Sequence, residues 1–136
     1  MSKQAPSILI ADDEPSILAS LQFLAMREGW RVIVATDGAS ALQIALTERP
    51  DLILLDVMLP QIEGIEVCRR LRADTRLSET SIVLLSAKSS VGDIERGHEA
   101  GADLYLGKPF STQDLMARLR ALLRSRDQDI DSRTKN

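Results

Sequence analysis

The sequence is poor in the residues that most often carry catalysis and crosslinks. Cys68 is the one cysteine and His98 the one histidine among 136 residues. A single cysteine excludes an internal disulfide and fits a reduced, cytoplasmic setting, with Cys68 as a small core or boundary residue. A single histidine leaves little material for a His-based metal site or a Ser-His-Asp triad, and His98 falls within a predicted helix, as a boundary residue. Long apolar runs are missing too. The stretch at 8–11 stops at Asp12 and Asp13, too short for a signal-peptide core or a membrane span. The net charge of -3 argues against a chain built to coat nucleic acid. The locally basic stretch at 118–126 has its charges at helical spacing and reads as a solvated helix end.

What is present suits one globular domain with a real core: 44% hydrophobic and 27% charged residues. Five apolar runs have strand character, at 7–11, 31–35, 51–56, 81–86 and 104–107. Most are near-continuous in Ile, Leu and Val, as in strands buried on both faces of a parallel sheet. Helical periods separate them. Ile17, Leu21 and Leu24 follow Pro15 and precede Gly29; Leu42, Ala45 and Leu46 precede Pro50; Ile65, Cys68 and Leu71 mark a third helix. The fourth, at 91–100, holds Gly92 and Gly97 and a thin apolar stripe, which predicts low stability. The fifth carries Leu115, Leu119, Leu122 and Leu123, opened by Ser111 with Asp114 three residues on, a pattern resembling a capping box. Strand and helix thus alternate five times, which predicts an α/β fold with right-handed crossovers. Residues 1–6 read as an N-terminal extension and 7–125 as the domain. The period fades after Arg126, so 126–136 read as a disordered tail or a truncated linker.

Ligands in open parallel sheets bind beyond the carboxyl ends of the strands. The first strand exits into Asp12 and Asp13, the third at Asp56, the fourth at Ser86, and the fifth runs into Lys108. Three crowded carboxylates repel one another, and a hard divalent cation such as Mg²⁺ resolves that conflict. Each residue alone has a plainer reading. Asp12 or Asp13 could cap the helix that Pro15 opens, Asp56 could be a strand-end acid, Ser86 a turn residue and Lys108 a surface lysine. Their shared edge gives them weight as a set. The first strand-to-helix turn, ADDEPS, has no glycine, which excludes a dinucleotide fingerprint and a Walker loop. Met58 stands where a haloacid-dehalogenase-type phosphatase would carry its second acid.

Four blocks carry a family resemblance: ILIADDE at 8–14, LILLDVMLP at 52–60 with Gly64, LLSAK at 84–88 and GADLYLGKPF at 101–110. Over about 7–124 the chain resembles the receiver domain of two-component response regulators, chemotaxis receivers included. The resemblance implies a flavodoxin-like, doubly wound five-stranded parallel sheet of order 2-1-3-4-5 with five helices. It implies a phosphorylation switch, not an enzyme in the ordinary sense, with Mg²⁺ as cofactor. Asp56 looks like the phosphoacceptor, Asp13 the direct metal ligand and Asp12 its neighbouring acid. The Met58 carbonyl resembles the remaining metal ligand. Ser86 and Lys108 resemble the pair that holds phosphoryl oxygens, and Tyr105 the aromatic that turns inward as Ser86 moves. Tyr105 could otherwise be a packed aromatic with its hydroxyl at the surface. The Lys108–Pro109 bond resembles one that is cis in the family.

The donor implied is a phosphohistidine on a sensor histidine kinase or histidine phosphotransfer protein. The output implied is a downstream protein bound at the face of the fourth helix, fifth strand and fifth helix, with a phosphorylation-dependent homodimer as a further expectation. Asp114 and Arg118 are kept on that face, but Ile94 and Leu104 stand where charged residues are common. That substitution predicts a more apolar contact there, a partner site if exposed. No nucleic-acid binding by this chain and no membrane contact are expected. Two other readings are the receiver portion of a larger regulator and a small metal-dependent phosphatase.

Overall fold

The computed structural model describes residues 5–134, with side chains through Arg126. Its elements run β1 (Ser7–Ala11), α1 (Pro15–Arg27), β2 (Arg31–Ala35), α2 (Gly38–Glu48), β3 (Leu52–Asp56), α3 (Gly64–Arg72), a 3₁₀ turn (Thr75–Leu77), β4 (Ser81–Ser86), α4 (Val91–Glu99), β5 (Leu104–Gly107) and α5 (Thr112–Thr134). The strands form one parallel sheet in the order β2-β1-β3-β4-β5. The order and all five helices agree with the expectation from sequence. The 3₁₀ turn was not anticipated.

Strand alternation sorts the core into two layers. Leu9, Ile53 and Leu84 face α2, α3 and α4, meeting Ala41, Cys68 and Leu71. Ile10, Leu54 and Val83 face the other way, meeting Leu21 and Ala25 of α1 and Leu115 and Leu119 of α5. Each fully buried Leu or Ile contributes about 1.5–3 kcal/mol, so the three central strands carry most of the stability. Their register places Ala11 beside Leu55, Asp56 beside Leu85 and Ser86 beside Gly107. Consecutive strands therefore release their next residues along one edge.

Two helix termini differ from expectation. Ser90 and Asp93 form a reciprocal capping box at the start of α4, a gain that offsets part of the cost of Gly92 and Gly97. The Ser-x-x-Asp pattern was readable in the sequence and overlooked. At the other end of the chain, α5 continues to Thr134, although the apolar period fades at Arg126. No Pro or Gly interrupts 126–134, and propagating an existing helix requires far less than nucleating one. Arg126 also fastens α5 to the sheet's amino edge, donating to the Glu79 carbonyl at 3.1 Å and pairing with Asp51 at 2.9 Å. Residues 1–4 of the expected extension, and 135–136, lie outside the described residues.

Arg72, the last residue of α3, joins three segments at that same end of the sheet. Its guanidinium donates to the carbonyls of Gly101 (2.8 Å), Leu77 (3.0 Å) and Thr80 (2.7 Å), and to Asp103 Oδ2 at 2.7 Å. Asp103 Oδ2 in turn accepts the Ile82 N–H. Removing this fork leaves carbonyls without their donor, so Arg72→Ala is expected to lower the unfolding free energy by about 2 kcal/mol. Arg69→Ala, which breaks an exposed pair with Glu66, serves as the control. Urea denaturation compares them, and equal midpoints for the two variants would refute the assignment.

Candidate functional site

The edge that gathers the strand exits also gathers the candidate residues. Asp12, Asp13 and Asp56 each present a carboxylate oxygen within 4.8 Å of the others. Asp12 is 1% exposed and Asp56 5%, whereas Asp13 faces solvent. Lys108 reaches in from the end of β5, its Nζ 3.4 Å from Asp12 Oδ2 and 3.3 Å from Asp56 Oδ2. One ammonium is thus shared between the two buried carboxylates.

Backbone donors complete the arrangement. Asp12 Oδ1 accepts the Glu14 N–H at 2.9 Å, and Asp56 Oδ1 accepts the Met58 N–H at 3.2 Å. Glu14 itself occupies the N-cap of α1, which has no side-chain cap. Neither Asp12 nor Asp13 therefore caps α1, which removes the plainer reading of that pair. Met58 sits at the rim with a half-exposed side chain. The loop that carries it closes back over Asp56 at Gly64, whose N–H donates to the Val57 carbonyl at 2.9 Å. A Cβ on Gly64 would fall 2.4 Å from the Asp56 carbonyl oxygen, so only glycine allows this closure.

Burial raises the pKa of Asp12, and the neighbouring charge of Asp56 adds to that; the Glu14 N–H and Lys108 act against them. For Lys108, burial acts to lower the pKa, but the charges of Asp56 and Asp12 outweigh it and leave the ammonium raised. The site therefore combines oxygen-only donors with an incompletely balanced negative charge. That combination fits a hard, oxygen-seeking divalent cation of the Mg²⁺ type.

Ser86 and Tyr105 lie deeper. Ser86 is fully buried; its Oγ accepts the Lys88 N–H at 2.9 Å and its carbonyl accepts the Lys108 N–H at 2.7 Å. Tyr105 is turned inward, 7% exposed, and its hydroxyl donates to the Lys88 carbonyl. The two residues are thus joined through the main chain of Lys88, a link that the sequence reading did not foresee. The Lys108–Pro109 bond is cis. Ile94 and Leu104 are half-buried, Ile94 packing on the Tyr105 side of the sheet and Leu104 on the α5 side. The exposed apolar residue of α4 is instead Val91, at 75%.

His98 and Cys68 play no part in this edge. Nδ1 of His98 lies 3.2 Å from the Ala102 carbonyl. Cys68 is buried against the Ala100 carbonyl, and burial pushes its thiol up to about 11, so it holds no reactive thiolate at neutral pH.

Residues 8–120 match the sequence profile of the response regulator receiver domain. The chain belongs to that family. Among curated relatives of this receiver, the alkaline phosphatase synthesis transcriptional regulatory protein PhoP of Bacillus subtilis (strain 168) is 50% identical over 117 residues, covering 86% of this chain and 48% of PhoP. The DNA-binding response regulator MtrA of Mycolicibacterium smegmatis is 44% identical over 129 residues, covering 95% of this chain and 55% of MtrA. The receiver thus spans about half the length of these relatives. Among solved structures, a CheY-like response regulator receiver domain protein from Methanospirillum hungatei JF-1 superposes with a TM-score of 0.87 at 26% identity, covering 93% of this chain and 99% of that one. The receiver domain of sensor histidine kinase PA1611 from Pseudomonas aeruginosa PAO1, which has a magnesium ion coordinated in its active-site cleft, superposes with a TM-score of 0.80 at 31% identity, covering 88% and 98%. No helix among the described residues is long and apolar enough to cross a membrane.

The raised pKa of Asp12 carries a sign for stability. Charging it costs the folded receiver free energy, a cost absent below the unfolded-state pKa and fully present above the folded one. In metal-free protein at neutral pH, Asp12→Asn is therefore expected to raise the melting temperature by about 3 °C, on the order of 1 kcal/mol. Added Mg²⁺ should stabilise the wild type and the variant much less. Differential scanning calorimetry with and without Mg²⁺ measures both, and a lower melting point for the metal-free variant would contradict the charge argument.

Proposed function

We propose that this receiver accepts a phosphoryl group on Asp56 in a divalent-metal-dependent reaction, and that the modification resets the face formed by α4, β5 and α5. The observation that carries this reading is the acidic triad within 4.8 Å with Lys108 between its two buried members. Phosphoryl transfer asks little of a protein beyond an in-line nucleophile and positive charge around the moving group. Asp56 supplies the nucleophilic oxygen. A new P–O bond forms there as the P–N bond of a phosphohistidine breaks, and the departing imidazole keeps the electron pair and takes up a proton. Asp12, Asp13, Asp56 and the Met58 carbonyl would hold Mg²⁺, which when bound neutralises charge on the phosphoryl oxygens. Lys108 provides a second positive charge from within the protein. Ser86 would exchange its bond with Lys88 for one to the phosphoryl group, and the change would pass through Lys88 to Tyr105.

The chain is then consumed as acceptor and regenerated on dephosphorylation, a signalling role that requires no second substrate site. The natural donor is a sensor histidine kinase or a histidine phosphotransfer protein; the PA1611 receiver, a part of a sensor histidine kinase, supports that class of partner. Because the receiver spans about half of PhoP and MtrA, we also propose that it works as the input half of a longer cytoplasmic regulator, with 126–136 as its linker. The names of those relatives do not support the expectation that nucleic acid plays no part. DNA contact would fall to the output half, with an α4-β5-α5 homodimer or a downstream protein as the intermediary.

Treating the purified chain with acetyl phosphate and Mg²⁺ should add one phosphoryl group by intact mass spectrometry. Chelation with EDTA, or the Asp56→Asn change, should abolish the addition. An unchanged wild-type mass with metal present would sink this reading.

A further inference from the structure

Two glycines interrupt α4, and their surroundings differ sharply. A Cβ built on Gly92 meets open space, its nearest neighbour being Arg96 Nη1 at 3.9 Å. A Cβ built on Gly97 would lie 2.5 Å from Tyr105 Cδ2, 3.0 Å from Tyr105 Cε2 and 3.2 Å from Leu84 Cδ1. Gly97 is the buried residue of this helix, and the inward Tyr105 ring occupies the volume its missing side chain leaves. Leu84 is fully buried in the sheet and has nowhere to retreat. The ring can give way only by leaving its inward rotamer, at the cost of its hydrogen bond to the Lys88 carbonyl.

We propose that Gly97 is the positioning residue for Tyr105: its lack of a side chain makes the inward ring available, so a substituent as small as a methyl group at 97 drives the ring outward. The atoms nearest a Cβ at 97 are those of Tyr105 and Leu84, so Gly97 acts through the ring. The inward state is consequently a property of the fold that exists before Asp56 is modified, and phosphorylation shifts a balance whose starting point Gly97 sets. The functional consequence, that a partner reads ring position, rests on the signalling role proposed above. The steric claim does not.

Tyr105 is the only tyrosine in the chain, so 3-fluorotyrosine labelling of the full chain gives a single ¹⁹F reporter on the ring. Spectra of the wild type, Gly92→Ala and Gly97→Ala are recorded with a soluble paramagnetic agent and no phosphodonor. Both substitutions raise helix propensity equally, so propensity alone predicts the same result for both. The wild type and Gly92→Ala should share one protected resonance. Gly97→Ala should shift it and broaden it roughly two-fold or more, as for a ring exchanging into solvent. A Gly97→Ala resonance as protected as that of Gly92→Ala would overturn the proposal.

Should Gly97→Ala fail to fold, the double variant Gly97→Ala/Tyr105→Ala decides. With the colliding ring removed it must fold and melt no lower than Tyr105→Ala alone, and a double variant that also fails refutes the claim. Because the ring is read without phosphorylation, failure of phosphoryl transfer and failure of this inference are separate results.

Discussion

Asp12 and Asp56 are buried a few ångströms apart and both are acids, an arrangement that repulsion and lost hydration would ordinarily forbid. The Lys108 ammonium lies between them at nearly equal distances, and the backbone N–H groups of Glu14 and Met58 take one oxygen of each. This compensation is partial, as the raised pKa of Asp12 records. A site left with surplus negative charge has affinity for further positive charge. The fit to a hard divalent cation follows from that one imbalance.

The sheet exists, in this view, to hold charges at a fixed spacing. Parallel pairing locks the register of β1, β3, β4 and β5 through residues that cannot move without exposing Leu, Ile or Val. Arg72 and Arg126 secure the opposite end of the sheet. On the Tyr105 side of the sheet lies α4. That helix is anchored by a capping box at its start, contains two glycines, and has Gly97 as its buried residue.

Much of this was legible in the sequence. Continuous apolar runs ending in acids located β1 and β3 and their exits. The strand exits supplied the convergence of Asp12, Asp13, Asp56, Ser86 and Lys108, and the family resemblance supplied the topology. What escaped were features made by contact between distant segments. Ser86 and Tyr105 meet through the Lys88 main chain, which no side-chain pattern encodes. Gly97 looked like a weakness in a poor helix, because its value lies in the ring of a residue eight positions later. Ile94 and Leu104 were read as one apolar face, yet they pack on opposite sides of the sheet. The continuation of α5 past Arg126 was missed because the apolar period of the sequence fades there, while an established helix propagates without one.

Cys68 has a practical consequence of a different kind. Its thiol is sealed beneath α4, bonded to the Ala100 carbonyl and held far from thiolate. Alkylating reagents therefore reach it when α3 and α4 part from the sheet, and the rate of its modification becomes an internal clock for that opening. A native cysteine silent in the closed fold also leaves the surface clean for dyes or spin labels attached at engineered positions, so distances across the molecule can be followed without first removing a natural residue.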